Sequence, residues 1–481
     1  MKHANDRRTD MEDTVDRFDI RKHIHESVEC FGAVWQNDKS HWEVRLKDLR
    51  TDIEYTRKAS IVISAVGAIS FPRDVRFKGM EKFQGPMFHT ARWDHSVDYK
   101  NKRVAVIGNG CSAAQVVPSM AQEAAFVKQY ARSGQWFHDR PNRVYTKFEK
   151  LLCRYVPLYQ RAIRLKIFID ADEETTVYFP TPEGLKERAR MEKESKRYIR
   201  SKVPEKYAKH IIPTFPIGCK RRVFDPGYLD SLNETHVVLQ PEGIGEITET
   251  GIISSSGIED NFDIIVLATG FQVSEFLTPM HIVGAHGGSL HDQWKECRGA
   301  QAYLGTHVHN FPNLGIIFGP NVFPANNSAL FACETQVEFA IKSIFVPILD
   351  KRATVIEVKQ AAEDRTTNAI HKELSNTVFA GDCSNWYIGK FGRNAASWPG
   401  FARSYWWATL TPNWADFNLT GTSPWWPVYT AVRQITSIPT VLKIVLFIGA
   451  AAGFFGGLGL PVRQAFASLL RYASHWTLAT R

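Results

Sequence analysis

Gly108, Gly110 and Ala113 stand in a Gly-x-Gly-x-x-Ala spacing between the apolar run Val104-Ala-Val-Ile107 and a helical pattern, Ala113 to Ala124. The chemistry this spacing serves is the binding of a pyrophosphate. The first glycine permits a tight turn, the second leaves the backbone bare for close approach, and the small third residue lets helix pack on strand. The amides at the helix start then face the anion, and the helix dipole adds its attraction. Asn109, Cys111, Ser112, Ala114 and Gln115 complete this candidate cofactor set. Cys111 reads as a small space-filler rather than a reactive thiol, because phosphates occupy that helix end. The next strand, Ala125 to Ala131, runs into Arg132-Ser133. A site for NAD places an acid about 20 residues after the glycines, on the ribose hydroxyls. A guanidinium beside a hydroxyl suits the 2′-phosphate of NADP instead, so NADPH is expected over NADH.

These residues need a parallel α/β scaffold, and the rest of the chain is patterned to supply one. Residues 20 to 70 alternate apolar and polar, as in Trp42-Glu-Val-Arg-Leu46, which predicts short antiparallel strands. Val28 in this segment is included in the cofactor-binding set. Ile61 to Gly67, Asp263 to Gly270 and Leu314 to Phe318 read as strands ending near glycines, the first two buried. Residues 145 to 210 are charged and helical by pattern, and Glu334 to Val346 reads as a further helix. At 481 residues the chain has room for two or three domains. A net charge of +9 suits anionic cofactors or an anionic surface. The basic residues are scattered, which argues against nucleic acid. The seven cysteines are dispersed, with no Cys-x-x-Cys pair and no zinc-ligand spacing, and read as free thiols in a reducing, cytoplasmic setting. Ile444 to Leu460 is an uncharged run at the short limit for a membrane span, making it a candidate membrane segment.

Upstream of the glycine turn, residues 83 to 94 read FQGPMFHTARWD and fit Phe-x-Gly-x-x-x-His-x-x-x-Trp-Asp without a gap. This string resembles the fingerprint of type I Baeyer–Villiger monooxygenases, FAD-dependent enzymes. Further on, Cys219-Lys220-Arg221-Arg222 with Tyr228 and Asn233 resembles that family's Cys-Lys-Arg segment. Residues 263 to 271, DIIVLATGF, resemble its second Ala-Thr-Gly strand, while Cys383-Ser-Asn-Trp-Tyr387 and Trp398-Pro-Gly400 resemble its C-terminal end. The resemblance covers about residues 20 to 430 and is nearest to fungal enzymes that tailor polyketides of the sterigmatocystin and aflatoxin type.

The resemblance implies an α/β fold with two Rossmann-like dinucleotide-binding domains, the NADP domain inserted into the FAD domain. Residues 1–75 would be the remainder of the FAD domain. Residues 76–265 would form the NADP domain, with the helical insertion at 145–210. Residues 266–430 would return to the FAD domain and the C-terminal region, and 431–481 would be a hydrophobic tail. The family opens on an FAD-binding glycine turn. This sequence holds none before Gly108, so the FAD domain is expected to be incomplete at its N-terminus. The implied chemistry is reduction of FAD by NADPH, activation of dioxygen, and conversion of a hydrophobic ketone to an ester or lactone. Arg221 would be the catalytic cation facing the developing oxygen anion, and Lys220 would hold the NADP 2′-phosphate. The motif register alone decides between Arg221 and Arg222 as the inward-facing guanidinium. His89 lies in a linker between the nucleotide domains, where it couples domain rotation to turnover or serves as a structural histidine. Trp93 reads as packing. Two alternatives stay open: a heteroatom-oxygenating flavin monooxygenase, and a non-catalytic NADP-binding remnant.

Overall fold

The computed structural model describes residues 11–139, 143–381 and 385–437. Near the N-terminus, β1 (Val28–Gln36), β2 (His41–Asp48) and β3 (Glu54–Ala59) form an antiparallel meander. Their alternation turns Trp35 and Trp42 inward, where the rings meet edge to face at 5.4 Å. The predicted buried strand from Ile61 is shorter and less covered than expected. It is reduced to β4 (Val62–Ser64), and all three of its residues are half-buried.

The chain then enters a second sheet. This contains β5 (Met87–His89), β6 (Arg103–Ile107), β7 (Phe126–Tyr130), β8 (Val237–Gln240) and β9 (Ile264–Leu267), in the all-parallel order β8-β7-β6-β9-β5. Every residue of β9 and four of the five in β6 are buried. Such unbroken apolar runs are what a sheet covered on both faces requires. One face is covered by α1 (Cys111–Met120), through Ala113, Ala114, Val117 and Met120. The other is covered by a small antiparallel sheet whose Ile247 and Ile252 are fully buried. Strand order reverses between β6 and β9, so the carboxyl ends of those two strands form the crevice where parallel sheets bind ligands.

Beyond β9 the chain returns to the first unit. There β10 (His281–Val283) joins β1 in parallel and β11 (Leu314–Ile316) joins β4 in parallel. Outgoing and returning segments pair with each other at Pro72 and Phe271, and Arg73 N–H donates to the Gly270 carbonyl at 2.9 Å. Two paired chains thus connect the units. The insertion after β7 is helical: α2 (Lys147–Tyr155), α3 (Tyr159–Glu173) and α4 (Pro182–Lys202). Among the described residues no helix is long and apolar enough to cross a membrane. The candidate segment 444–460 lies outside the described residues.

Candidate functional site: a nucleotide turn, two cations and an unpaired guanidinium

The glycine turn sits at the strand-order reversal. Gly108 has φ +129°, and a Cβ there would lie 2.2 Å from the Ala268 carbonyl oxygen at the end of β9. Both the conformation and the approach require glycine. Gly110 differs: its φ is −79°, and a Cβ there would meet nothing within 4 Å. It caps α1 with no side-chain hydrogen bond, so the helix amides open onto free space. Ala113 and Ala114 are buried behind it, Ser112 is half-buried and Cys111 is exposed. The turn is braced from behind by Gln129, a fully buried amide on β7. Gln129 Nε2 donates to the Gly108 carbonyl at 2.8 Å, and Tyr228 Oη donates to Gln129 Oε1 at 2.6 Å. Sequence reasoning missed this brace. A glutamine inside an apolar strand was the available signal, since a buried amide must find partners. Asn109 Nδ2 donates to the Ser133 carbonyl and ties the turn to the end of β7. Gln115 donates back to the Cys111 carbonyl at 2.9 Å, within its own helix. Val28 lies in the meander sheet, apart from the sheet that carries the turn.

Two cations stand beside this cradle. Arg132 and Ser133 are exposed at the end of β7, and the Arg132 stem would lie 3.3 Å from a Cβ on Gly243. Lys220 places its ammonium 4.5 Å from the centre of the Phe215 ring. Its pKa is lowered, first by burial and then by the Arg132 guanidinium. Among the described ion pairs neither cation has an acidic partner. Two like charges drawn together with no acid between them fit a phosphate; alone they repel.

The segment bearing Lys220 is held by the short parallel pair Phe137–His138 and Val223–Phe224. Its two arginines have different surroundings. Arg222 is buried and donates to Glu174 Oε2 at 2.5 Å and to Asn326 Oδ1, so its charge is used in the protein's own packing. Arg221 lies over the Phe323 ring at 4.7 Å, and its Nη1 is buried with no hydrogen-bond partner among the described residues. Burial raises the pKa of Cys111 in the glycine turn and of the buried Tyr178 and Tyr387, and the Arg221 charge, which reaches all three, opposes that rise in part. For Cys111 the larger effect is crowding within the cleft, which raises the pKa and keeps the group a thiol. An unpaired buried N–H costs about 1–3 kcal/mol, so the guanidinium is aimed at a group that none of the described residues supplies. Among the described cysteines the expectation of free thiols fails at Cys219, next to Lys220, which is disulfide-bonded, and holds at Cys30, Cys111, Cys153, Cys297 and Cys333.

The fingerprint string has packing reasons. A Cβ on Gly85 would lie 2.4 Å from the Asp263 carbonyl, just before β9. Phe88 and Trp93 meet edge to face at 5.1 Å, and Asp94 accepts from the Ser96 amide and hydroxyl. His89 accepts at Nδ1 from the Ala91 amide and lies 5.8 Å from the Phe271 ring on the returning segment. Burial lowers its pKa; the nearby Gly270 carbonyl partly opposes this, although Nε2 lies outside hydrogen-bond geometry. In the first unit, the buried Ser64 hydroxyl at the carboxyl end of β4 has no partner among the described residues, and Gly67 beyond it has φ +71° and open space around it. Both fit a ligand at the carboxyl end of a parallel strand. Phe318, Phe323, Phe276, Val273 and Trp386 line a small apolar pocket that shares Phe323 with Arg221.

A family model described as FMO-like, flavin-binding monooxygenase-like, matches residues 15–167. FAD-binding monooxygenase ktnD of Aspergillus niger is 30% identical over 457 residues, 92% of this chain and 74% of that protein. A Baeyer–Villiger monooxygenase of Pseudomonas aeruginosa is 31% identical over 379 residues, 78% of this chain and 70% of its own length. Among solved structures, cyclohexanone monooxygenase from Rhodococcus sp. Phi1 bound to NADP+ superposes with a TM-score of 0.72 at 23% identity, covering 85% of this chain and 83% of that one. This likeness establishes the architecture as an α/β fold with two dinucleotide-binding units.

Proposed function

The chain belongs to the flavin-binding monooxygenases, and from that premise we propose that it is an NADPH- and FAD-dependent Baeyer–Villiger monooxygenase. It inserts one oxygen atom of dioxygen beside the carbonyl of a hydrophobic ketone, giving an ester or lactone. The observation that carries this reading is Arg221, whose buried Nη1 has no partner among the described residues and lies between the glycine turn and the Phe323 wall. The two relatives, one an FAD-binding and one a Baeyer–Villiger monooxygenase, support it.

FAD, reduced by NADPH, supplies the activation of dioxygen. The polypeptide binds, orients and shields. The α1 amides and the bare Gly110 receive the NADP pyrophosphate, and Arg132 and Lys220 grip the 2′-phosphate. Arg221 keeps its proton and presents a fixed cation to the negative oxygen, which a group that titrates near neutrality could not do reliably. Phe318, Phe323 and Trp386 set an apolar wall beside Arg221 that keeps water away. His89, neutral and packed at the paired segments, positions the two units and moves no proton. Its ketone, in this reading, belongs to fungal secondary metabolism, and the match to an Aspergillus niger monooxygenase over 92% of the chain supports a fungal setting.

The full chain, loaded with FAD and given NADPH and a ketone panel under ¹⁸O₂, is expected to yield singly labelled ester or lactone by mass spectrometry. Arg221→Ala should cut that yield by about 10²–10³-fold while NADPH still bleaches the flavin band. Labelled sulfoxide from a thioether with no labelled ester would favour the heteroatom reading, and a chain that takes up no flavin would end both.

A further inference from the structure

Between residues 143 and 170 no residue is buried, although this stretch forms all of α2 and most of α3. Helices this short gain most of their stability by burying an apolar face. Here the apolar face exists and is bare. On α2 it is Phe148, Leu151 and Tyr155, at 65%, 53% and 65% exposure. On α3, with the Leu158 that caps it, it is Leu158, Leu165 and Ile169, at 68%, 57% and 45%, with Ile167 at 57% on the other side of the helix. The spacings of three, four, seven and eleven residues set each group along one side of its helix. A cation stands one position ahead of most of these residues: Lys147, Lys150, Arg154 and Arg164. Residues 143–170 hold seven Lys and Arg against two acids, Glu149 and Asp170. Both acids are engaged, Glu149 in the capping box with Thr146 and in a pair with Arg143, Asp170 in a pair with Lys166. Lys147, Lys150, Arg154 and Arg161 have no ion-pair partner among the described residues.

We propose that this helical hairpin seats the protein on an anionic lipid surface, lying in the interface without crossing it. Apolar side chains bordered by cations are the composition that does this: the side chains enter the acyl boundary and the cations remain with the phosphates. A second copy of the chain is a poor occupant, because it would bring the same excess of positive charge to the contact. The proposal is independent of the oxygenase reading, since it uses no residue of the nucleotide site.

Co-sedimentation of the full chain with vesicles tests it. Binding should be at least about tenfold stronger to phosphatidylcholine vesicles carrying about 30% phosphatidylserine than to phosphatidylcholine alone, and should weaken as salt rises. The triple variants Lys147→Glu/Lys150→Glu/Arg154→Glu and Phe148→Ser/Leu151→Ser/Leu158→Ser should each abolish the preference while retaining the wild-type circular dichroism spectrum. Wild-type binding by both variants, equal binding to the two vesicle types, or a dimer without lipid that the variants dissociate would each overturn the proposal.

Discussion

Charge without an internal partner separates the site residues from their neighbours. Arg222 and Arg221 are adjacent, yet Glu174 and Asn326 occupy the first while the second has a bare Nη1. Lys220 and Arg132 belong with Arg221: the protein holds them close enough for Arg132 to lower the Lys220 pKa. In the unbound protein this pair is unfavourable, and a phosphate between them reverses the sign. A hydrogen bond to a charged group contributes about 1.5–3 kcal/mol. Lys220→Ala is therefore expected to raise KM for NADPH by about 10- to 100-fold and to leave KM for NADH nearly unchanged, with Arg132→Ala acting in the same direction. Steady-state kinetics with the two nucleotides checks this. Equal losses for both would assign the pair to general folding rather than to the 2′-phosphate.

At the scale of the element, two glycines of one turn make opposite predictions. Gly108→Ala puts a methyl 2.2 Å from the Ala268 carbonyl at a positive φ, so β6 and β9 must part. Overpacking of this kind costs about 1–3 kcal/mol, measurable as a lower urea midpoint. Gly110→Ala meets nothing and has an ordinary φ. It should unfold with the wild type and still lose NADPH affinity, because the methyl fills the phosphate's space; calorimetry and urea titration on the two variants separate these outcomes. Local pattern revealed this turn because a strand, two glycines and a helix follow one another directly between Arg103 and Met120. The meander was legible for the same reason, through its period-two alternation. What was not legible depends on distant partners. Arg222 is neutralised by Glu174, 48 positions away. The strand at 62–64 is only half covered because what packs on it is set by the rest of the fold. The helical pattern of 145–210 matches the helices found there and gave no sign that the apolar side of the first two would stay bare. The Cys219 disulfide could not be read from spacing, since dispersed cysteines are compatible with either state.

At the scale of the molecule, burial of titratable groups makes stability depend on pH. His307 is buried, its Nε2 sharing a hydrogen bond with Ser343 Oγ at 2.9 Å, and burial pushes its pKa down to about 3. His138 and His371 have unpartnered Nε2 atoms and are each pushed down to about 4, by burial first and then by Arg222 and Arg393 respectively. Unfolded, all three titrate near 6.5. Between that pH and about 4, the unfolded chain takes up protons that the folded one refuses, so stability falls on acidification. Glu363 works the other way. Burial raises its pKa to about 7, so the folded chain keeps a proton that the unfolded one has lost above about 4.5, and stability falls as pH rises through that window. His309, whose proton Glu357 holds, acts with the same sign as Glu363 but at pH above about 6.5. Three depressed histidines outweigh Glu363, and the melting temperature should climb from pH 4.5 to 6.5. Glu363→Gln removes the main opposing slope and should steepen the climb, whereas His307→Gln should flatten it. Calorimetric melts across that range in non-coordinating buffers read both slopes. A wild-type curve that falls over the same interval would mean that these imidazoles carry their protons in the folded state, and the packing around His307, Phe339 and Phe417 would then have to be looser than the ring contacts of 5.4 and 5.0 Å indicate.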